Sequence, residues 1–493
     1  MICEFVETFL DGGLIPSIIV WHSKSTNNVY VIDGAHRVSA LIAYVNDDYG
    51  DGDISRAAWG QAVPAAQVAL HKKTKQMVDD KIGSFAALTD FGLNPSKTSD
   101  PEKQRRGRAI SAMSIHIQTV DGDTALAEES FYRINSSAVA IDETELDVIR
   151  ARRKPNALAT RALISAGKGH KYWEDLPNSA NIEEKAAEGY RLLFGDLSEI
   201  GTLSPDIPRA GQPYSNEAFK MVLDMVNIFN GVTPAMWTHK YSETAPKRKK
   251  KAPIVPRLAD DPDGTATLAF LDKIVEVAQL VAGGPDVDGS LGLEPGVYAY
   301  GATGKIIPAA YLASLKFMQE LEQTHKLVLF SVVRANFEEF PVNHKPFFNA
   351  LTHSKGARTR SLDSFVTMFR ILFNSVVNGT LSDQEIVANL QADPKLKDLK
   401  TPPPAEEEEA ELPIRKKFSK SVVAAKVVME TLKTRAPCTI CGARLPPSYR
   451  SKDHEIKQEH GGMGTIDNLN FTHPYCNHSR DAIEKLRGER KLI

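Results

Sequence analysis

The chain has 493 residues, 42% hydrophobic and 25% charged, an ordinary globular composition that at typical domain sizes makes roughly two to four domains. No apolar run approaches the roughly 18 residues of a membrane span, which excludes a transmembrane protein, and Glu4, Glu7 and Asp11 stand where a secretory signal needs a basic start, so the expected location is cytoplasmic. The net charge of −2 excludes a global polycation, but residues 415–493 hold 16 Lys and Arg against 8 Asp and Glu, a local +8 that leaves −10 on the rest.

In chain order, the first segment reads as an α+β unit. Apolar runs at 15–21 and 29–32, joined by Ser25, Asn27 and Asn28, predict a hairpin. The second run ends in Asp33-Gly34, after which Val38, Leu41, Ile42 and Val45 recur at helical spacing and predict a helix over 35–45. Strand, sharp turn and helix in that order direct free backbone N–H groups into a cleft, the geometry that receives phosphate, and Arg37 can add a bidentate contact. The competing structural reading is that Asp33 caps the helix while Arg37 lies on its solvated face. Further on, 131–135 followed by 141–153 predicts a second turn into a charged helix, and the unit closes near residue 170.

The segment Val29-Tyr-Val-Ile-Asp33-Gly34-Ala35-His36-Arg37 resembles the Asp-Gly-Gln-(Gln/His)-Arg motif of ParB-like domains, including those of modification-dependent restriction systems of the GmrSD and SspE kind. The resemblance spans about residues 5–155 and takes in Gly12-Gly13-Leu14-Ile15-Pro16 and Phe131-Tyr-Arg-Ile-Asn135 with Glu145. It implies a domain that binds or hydrolyses nucleoside triphosphates or senses modified DNA, with Asp33, Gly34, His36 and Arg37 as the nucleotide-binding residues. Ala35 stands where the family usually has glutamine, so phosphate binding is the expectation and NTP hydrolysis stays open.

Residues 171–395 read as a helical middle domain, with helical patterns such as 183–194, 219–229, 267–281 and 361–373. Lys247 to Lys251 is a basic run between prolines and is read as a solvated loop. Gly301-Ala-Thr-Gly304-Lys305 imitates a phosphate loop, but Ala299 and Ile306 stand where that pattern needs Gly and Ser or Thr. Residues 396–420 contain Pro402-Pro403-Pro404, Glu406 to Glu409 and Glu411, a composition that builds no core and is read as a linker. An amphipathic helix over 422–432 then opens a last domain at 421–493.

In that domain, Cys438-Thr-Ile-Cys441 and His473-Pro-Tyr-Cys476 have the spacing by which two knuckles each present two ligands to a tetrahedral zinc. A segment of about 55 residues holds too little core to fold alone, and metal binding supplies the difference. A redox role for Cys438 and Cys441 would leave Cys476 unexplained.

The order Cys-x-x-Cys, Asp453-His454, Gly461-Gly462, Asn468-Leu469, Cys476-Asn477 resembles the HNH endonuclease family over about residues 436–490. The resemblance implies a ββα-metal fold in which His454 is the general base, Asp453 and Asn477 offer oxygen ligands to Mg²⁺ or Mn²⁺, and Asn468 orients the His454 segment. His473 replaces the more usual cysteine and keeps four ligands. Arg480 replaces lysine and is expected to face backbone phosphates.

The fold class expected is therefore multidomain α+β: a ParB-like α+β domain, a helical middle domain and a small ββα-metal HNH domain. The function expected is a metal-dependent DNA endonuclease, a restriction or anti-phage effector gated by the N-terminal domain, with the acidic linker competing with DNA for the basic module. The alternatives are a zinc-containing DNA-binding regulator that does not cut, and a ParB-like NTPase with an inactive HNH module. The oligomeric state is not legible in the chain.

Overall fold

The computed structural model describes residues 2–22, 27–58, 65–112, 114–122, 142–168, 172–195, 209–211, 215–238, 256–355, 358–380, 382–397 and 418–490, together with 63, 127, 130 and 134. The basic run at 247–251, the acidic run at 406–411 and all of the 131–135 motif except Ile134 lie outside the described residues. The chain is mostly helical, with one three-stranded and one two-stranded sheet among the described residues, and it divides into two compact units. One is residues 1–150 with 197–202, and the other is 151–196 with 203–493.

The first unit opens with α1 (Ile2–Leu10), β1 (Ile18–His22), β2 (Val29–Asp33) and α2 (Ala35–Asn46). It continues through α3 (Asp53–Ala58), α4 (Ala65–Lys81), α5 (Phe85–Leu93), α6 (Pro101–Ala112), β3 (Ile117–Val120) and α7 (Glu143–Arg150). The expected hairpin is present: β1 and β2 are antiparallel, pairing Val20 with Val31 and His22 with Val29. β1 also pairs in parallel with β3, Ile18 opposite Ile117, so α2 to α6 form the crossover that a parallel pair requires. Helix spacing puts Cys3, Val6 and Leu10 on one face of α1, where they are buried with Tyr44, Val78, Ile82 and Leu88. Each large apolar side chain so buried contributes about 1.5–3 kcal/mol. α5 and α6 touch backbone to backbone: a Cβ on Gly92 would lie 2.4 Å from the carbonyl oxygen of Gly107.

The second unit begins with α8 (Pro155–Ile164), α9 (Ser179–Phe194), α10 (Asn216–Phe229), α11 (Pro234–Trp237) and α12 (Thr265–Ala282). α13 (Pro295–Tyr298), α14 (Pro308–Gln323), α15 (Leu327–Asn343), α16 (Lys345–Lys355), α17 (Leu362–Val377) and α18 (Asp383–Ala392) complete its helical array. α8 is buried on nearly every side and packs on α9, α10 and α12, which places the chain from 151 onward in this unit. Its polar Asn156 and Thr160 are buried along with Ala157, Leu158, Ala159 and Ala162, so the helix carries no clear amphipathic signal in the sequence. At the centre, the rings of Phe317, Phe330, Phe337, Phe369 and Phe373 meet with centroids 5.4–6.4 Å apart.

The same unit holds the cysteine-bearing segment: α19 (Lys420–Thr434), the hairpin β4 (Ser451–His454) and β5 (Leu469–Thr472), α20 (Pro474–His478) and α21 (Arg480–Arg490). Val428 and Leu432 of α19 and Tyr449 lie in the helical core, and α21 packs on α15. The phosphate-loop imitation has a packing role. A Cβ on Gly304 would fall 2.3 Å from the Ala424 and Ala425 backbone, so this turn is the seat of α19.

Candidate functional site

The two cysteine knuckles are built locally. Cys438 N–H donates to the Ala443 carbonyl and Gly442 N–H to the Cys438 carbonyl, a tight turn that Gly442 closes at φ +76°. His473 precedes the first residue of α20, where Pro474 fixes the helical start, and one turn brings Cys476 back beside it. The ligand atoms of Cys438, Cys441, His473 and Cys476 lie within 4.8 Å of one another. All four residues are buried. Among the described residues this is the one group of three or more His, Cys, Asp or Glu side chains that converges in this way, and it could hold a metal such as zinc.

The spacing suits that ion. His473 Nδ1 is 3.4 Å from Cys441 Sγ and 3.9 Å from Cys476 Sγ, against about 3.4–3.8 Å between neighbouring ligands of a tetrahedral zinc. His473 Nε2 is 3.1 Å from the carbonyl oxygen of Arg444, which accepts a hydrogen bond from Nε2–H and leaves Nδ1 as the ligand. Burial, reinforced by the nearby Arg334 guanidinium, holds the His473 pKa below its ordinary value, so the ring is neutral and ready to ligate. Hydrogen bonds from Cys441 and Cys476 hold the Cys438 thiol below its ordinary pKa.

The hairpin that follows carries the remaining expected residues. β4 and β5 pair antiparallel, Asp453 opposite Asn470 and His454 opposite Leu469. Asn468 is buried and clasps the loop beyond His454 from both sides: its Oδ1 accepts from Ile456 N–H at 2.7 Å, and its Nδ2 donates to the carbonyls of Ile456 at 3.1 Å and Met463 at 2.8 Å. Gly462 lies in the same loop, where a Cβ would sit 1.7 Å from the Ile456 carbonyl oxygen, so no other residue fits there. Asn477 Nδ2 donates to Ser451 Oγ at 3.0 Å and to the Lys452 carbonyl at 2.9 Å, pinning α20 to the start of β4. His454 is half-buried at the end of β4, with Nε2 3.3 Å from Gln458 Nε2.

The side chain that meets Asp453 is Arg480. Its Nη1 lies 3.2 Å from Asp453 Oδ2 and donates to the His454 carbonyl at 2.8 Å, while Nη2 donates to the Glu455 carbonyl at 3.3 Å. In this arrangement Arg480 braces the end of β4 and does not stand free toward a phosphate. Burial raises the Asp453 pKa, with Arg480 opposing.

At the other candidate site, Gly34 starts α2 with φ +96° and no side-chain cap, so Asp33 does not cap the helix. Asp33 instead holds Arg37, Oδ2 to Nη2 at 2.5 Å, and Arg37 also donates to the Ser17 carbonyl at 3.2 Å. The guanidinium folds back across Gly34, where a Cβ would lie 3.1 Å from Nη2. Arg37 Nε is buried against this turn with no hydrogen-bond partner among the described residues. His36 is exposed. Residues Gly12, Gly13, Leu14 and Ile15, together with Phe9, Ser114, Ile115 and His116, line a cavity of about 430 Å³.

Sequence reasoning missed the residues of the helical array that carry the metal segment, Gly292, Arg334, Glu338 and Glu294, whose Oε2 accepts from Arg435 Nε at 2.6 Å. They stand 100 or more positions from the cysteines, with no spacing that links the two. Among the described residues no helix is long and apolar enough to cross a membrane. In comparisons with known proteins, no family model, no curated protein and no solved structure matches the chain.

Proposed function

We propose that the chain is a metal-dependent HNH endonuclease that hydrolyses DNA phosphodiester bonds, gated by its N-terminal unit and serving restriction or anti-phage defence. The observation that carries this reading is the Asn468 clasp, which holds the loop after His454 in one shape beside Asp453 on a frame braced by the Cys3His cluster. A regulator that only binds DNA has no use for a buried amide dedicated to fixing a histidine-bearing strand end.

His454 takes the proton from the attacking water. Asp453 on β4 and Asn477 on α20 would offer hard oxygen ligands to Mg²⁺ or Mn²⁺, which would supply charge neutralisation at the phosphate. Arg480, tied to the same strand end, shares its charge with Asp453 in the resting site. In the N-terminal unit, Gly34, His36 and the α2 backbone receive a nucleotide phosphate, with Asp33 presenting Arg37.

The test is cleavage of plasmid and phage DNA, modified and unmodified, by the full chain and by His454→Ala, with Mg²⁺ or Mn²⁺, with and without NTP. The expected outcome is a fall of about 10²–10⁴-fold in the variant, with zinc content and folding unchanged. Absence of wild-type cleavage on every substrate overturns the reading. A second reading, a zinc-containing DNA-binding regulator, is favoured by one feature, the Arg480–Asp453 ion pair, which engages the carboxylate a catalytic cation would need. Metal-independent DNA binding without cleavage selects it, and NTP turnover unaffected by His454→Ala without any cleavage selects a ParB-like NTPase with an inactive HNH module.

A further inference from the structure

The metal segment is seated on a buried ion pair of the helical array. Arg334 and Glu338, one turn apart on α15, are both fully buried, an arrangement with a heavy desolvation penalty unless every polar atom finds a partner. Here the partners are specific. Arg334 donates through Nε to Glu338 Oε1 at 2.8 Å, through Nη1 to the Leu291 carbonyl at 2.6 Å and through Nη2 to the Gly292 carbonyl at 3.2 Å. Glu338 Oε1 also accepts from Tyr298 Oη at 3.0 Å, and its Oε2 accepts from Arg444 N–H at 3.2 Å.

Two routes lead from this pair to the imidazole of His473. Glu338 accepts from the Arg444 N–H, and the carbonyl of the same residue accepts a hydrogen bond from His473 Nε2. The Gly292 backbone that Arg334 holds lies against the ring: a Cβ there would sit 3.3 Å from His473 Cδ2 and 2.8 Å from Tyr449 Cβ, at a φ of +52°. On the same helix Val328 and Val332 pack on the cysteine cluster, and Ala335 Cβ would be 3.4 Å from a Cβ on Gly442.

We infer that Arg334 and Glu338 are positioning residues for the metal ligand His473, fixing its tautomer and ring plane, and that residues 290–294, α15 and the 437–478 segment load metal as one unit. An apolar pair could fill the same volume. Only the charged pair fixes the backbone groups that hold the ring. The inference stands on the metal cluster alone and does not depend on DNA cleavage.

The experiment uses the full chain and the double substitution Arg334→Met with Glu338→Leu, which removes both charges together and leaves neither unpaired. Expected is a protein with wild-type helix content whose zinc affinity, by chelator competition, is about 10–100-fold weaker and whose Co²⁺-substituted absorption bands are shifted. A folded double variant with wild-type zinc affinity and an unchanged Co²⁺ spectrum overturns the inference. If the double variant does not fold, hydrogen exchange of the wild type with and without zinc decides. Metal-dependent protection extending to 290–294 and 334–338 supports the inference, and protection confined to 437–478 overturns it.

Discussion

Both candidate sites pair an aspartate with an arginine, yet they rest on different supports. In the N-terminal unit Asp33 and Arg37 are four residues apart on a strand, turn and helix that one stretch of chain builds by itself, and both side chains stay partly exposed. In the hairpin Asp453 and Arg480 are 27 residues apart, and the strand and helix that bring them together depend on Asn468, Asn477 and the metal cluster. A locally encoded site tolerates the loss of a distant contact. An assembled site transmits it, because its geometry is the sum of several long-range hydrogen bonds.

Four predictions sharpen or break this contrast, the largest first. Cys476→Ser should abolish metal binding by the cluster and lower the melting temperature of the second unit, since apparent zinc binding of about 10–16 kcal/mol in small sites is folding energy. Elemental analysis and calorimetry read both effects, and a metal-free variant with an unchanged melting curve would separate the cluster from the helical array. If the proposed nuclease reading holds, Asn468→Ala should reduce cleavage about 100-fold while leaving metal content unchanged, because the His454 segment shifts but the cluster does not. Full activity in that variant would break the argument that the clasp positions the base.

Asp48 marks the stability of the first unit. Burial opposes its ionisation, but Ser55, Gly50 and Gly52 hydrogen-bond its carboxylate and hold the pKa down to about 2. A depressed carboxylate stabilises the fold above its unfolded pKa, so Asp48 contributes about 1–2 kcal/mol above pH 4 that fades as pH falls through about 2. Asp48→Asn should remove that dependence in acid titrations followed by circular dichroism, leaving the second unit unaffected. The smallest stability effect belongs to Arg37→Gln, under about 1 kcal/mol for a half-exposed pair. If the N-terminal unit binds NTP as proposed, calorimetric titration should nevertheless show loss of that binding, and undiminished binding would move the phosphate site away from α2.

Much of both sites was legible in the chain, for reasons of spacing. Cys438-x-x-Cys441 and His473-x-x-Cys476 name a ligand set because a knuckle turn and a helical turn each return two side chains to one point. Asp33-Gly34 before apolar residues at helical spacing names a turn and a helix because a left-handed glycine can make that corner. The Gly461-Gly462 pair, noticed only as part of a pattern, has its physical cause in the 1.7 Å approach to the Ile456 carbonyl.

What the tertiary structure decided is which distant groups complete these local patterns. Arg480 was expected at a phosphate and is found on Asp453, because α21 runs past the end of β4. Gly304, in a sequence that imitates a nucleotide loop, is spent on the close approach of α19. The seat of the metal segment, from Gly292 to Arg334 and Glu338, left no trace in the order of residues. Arginine, glutamate and glycine are common at every position, and only the packing of α15 against the 290–294 turn gives these three a shared purpose. Short-range spacing is written in the chain, whereas a buried long-range partner is identified by the geometry that closes around it.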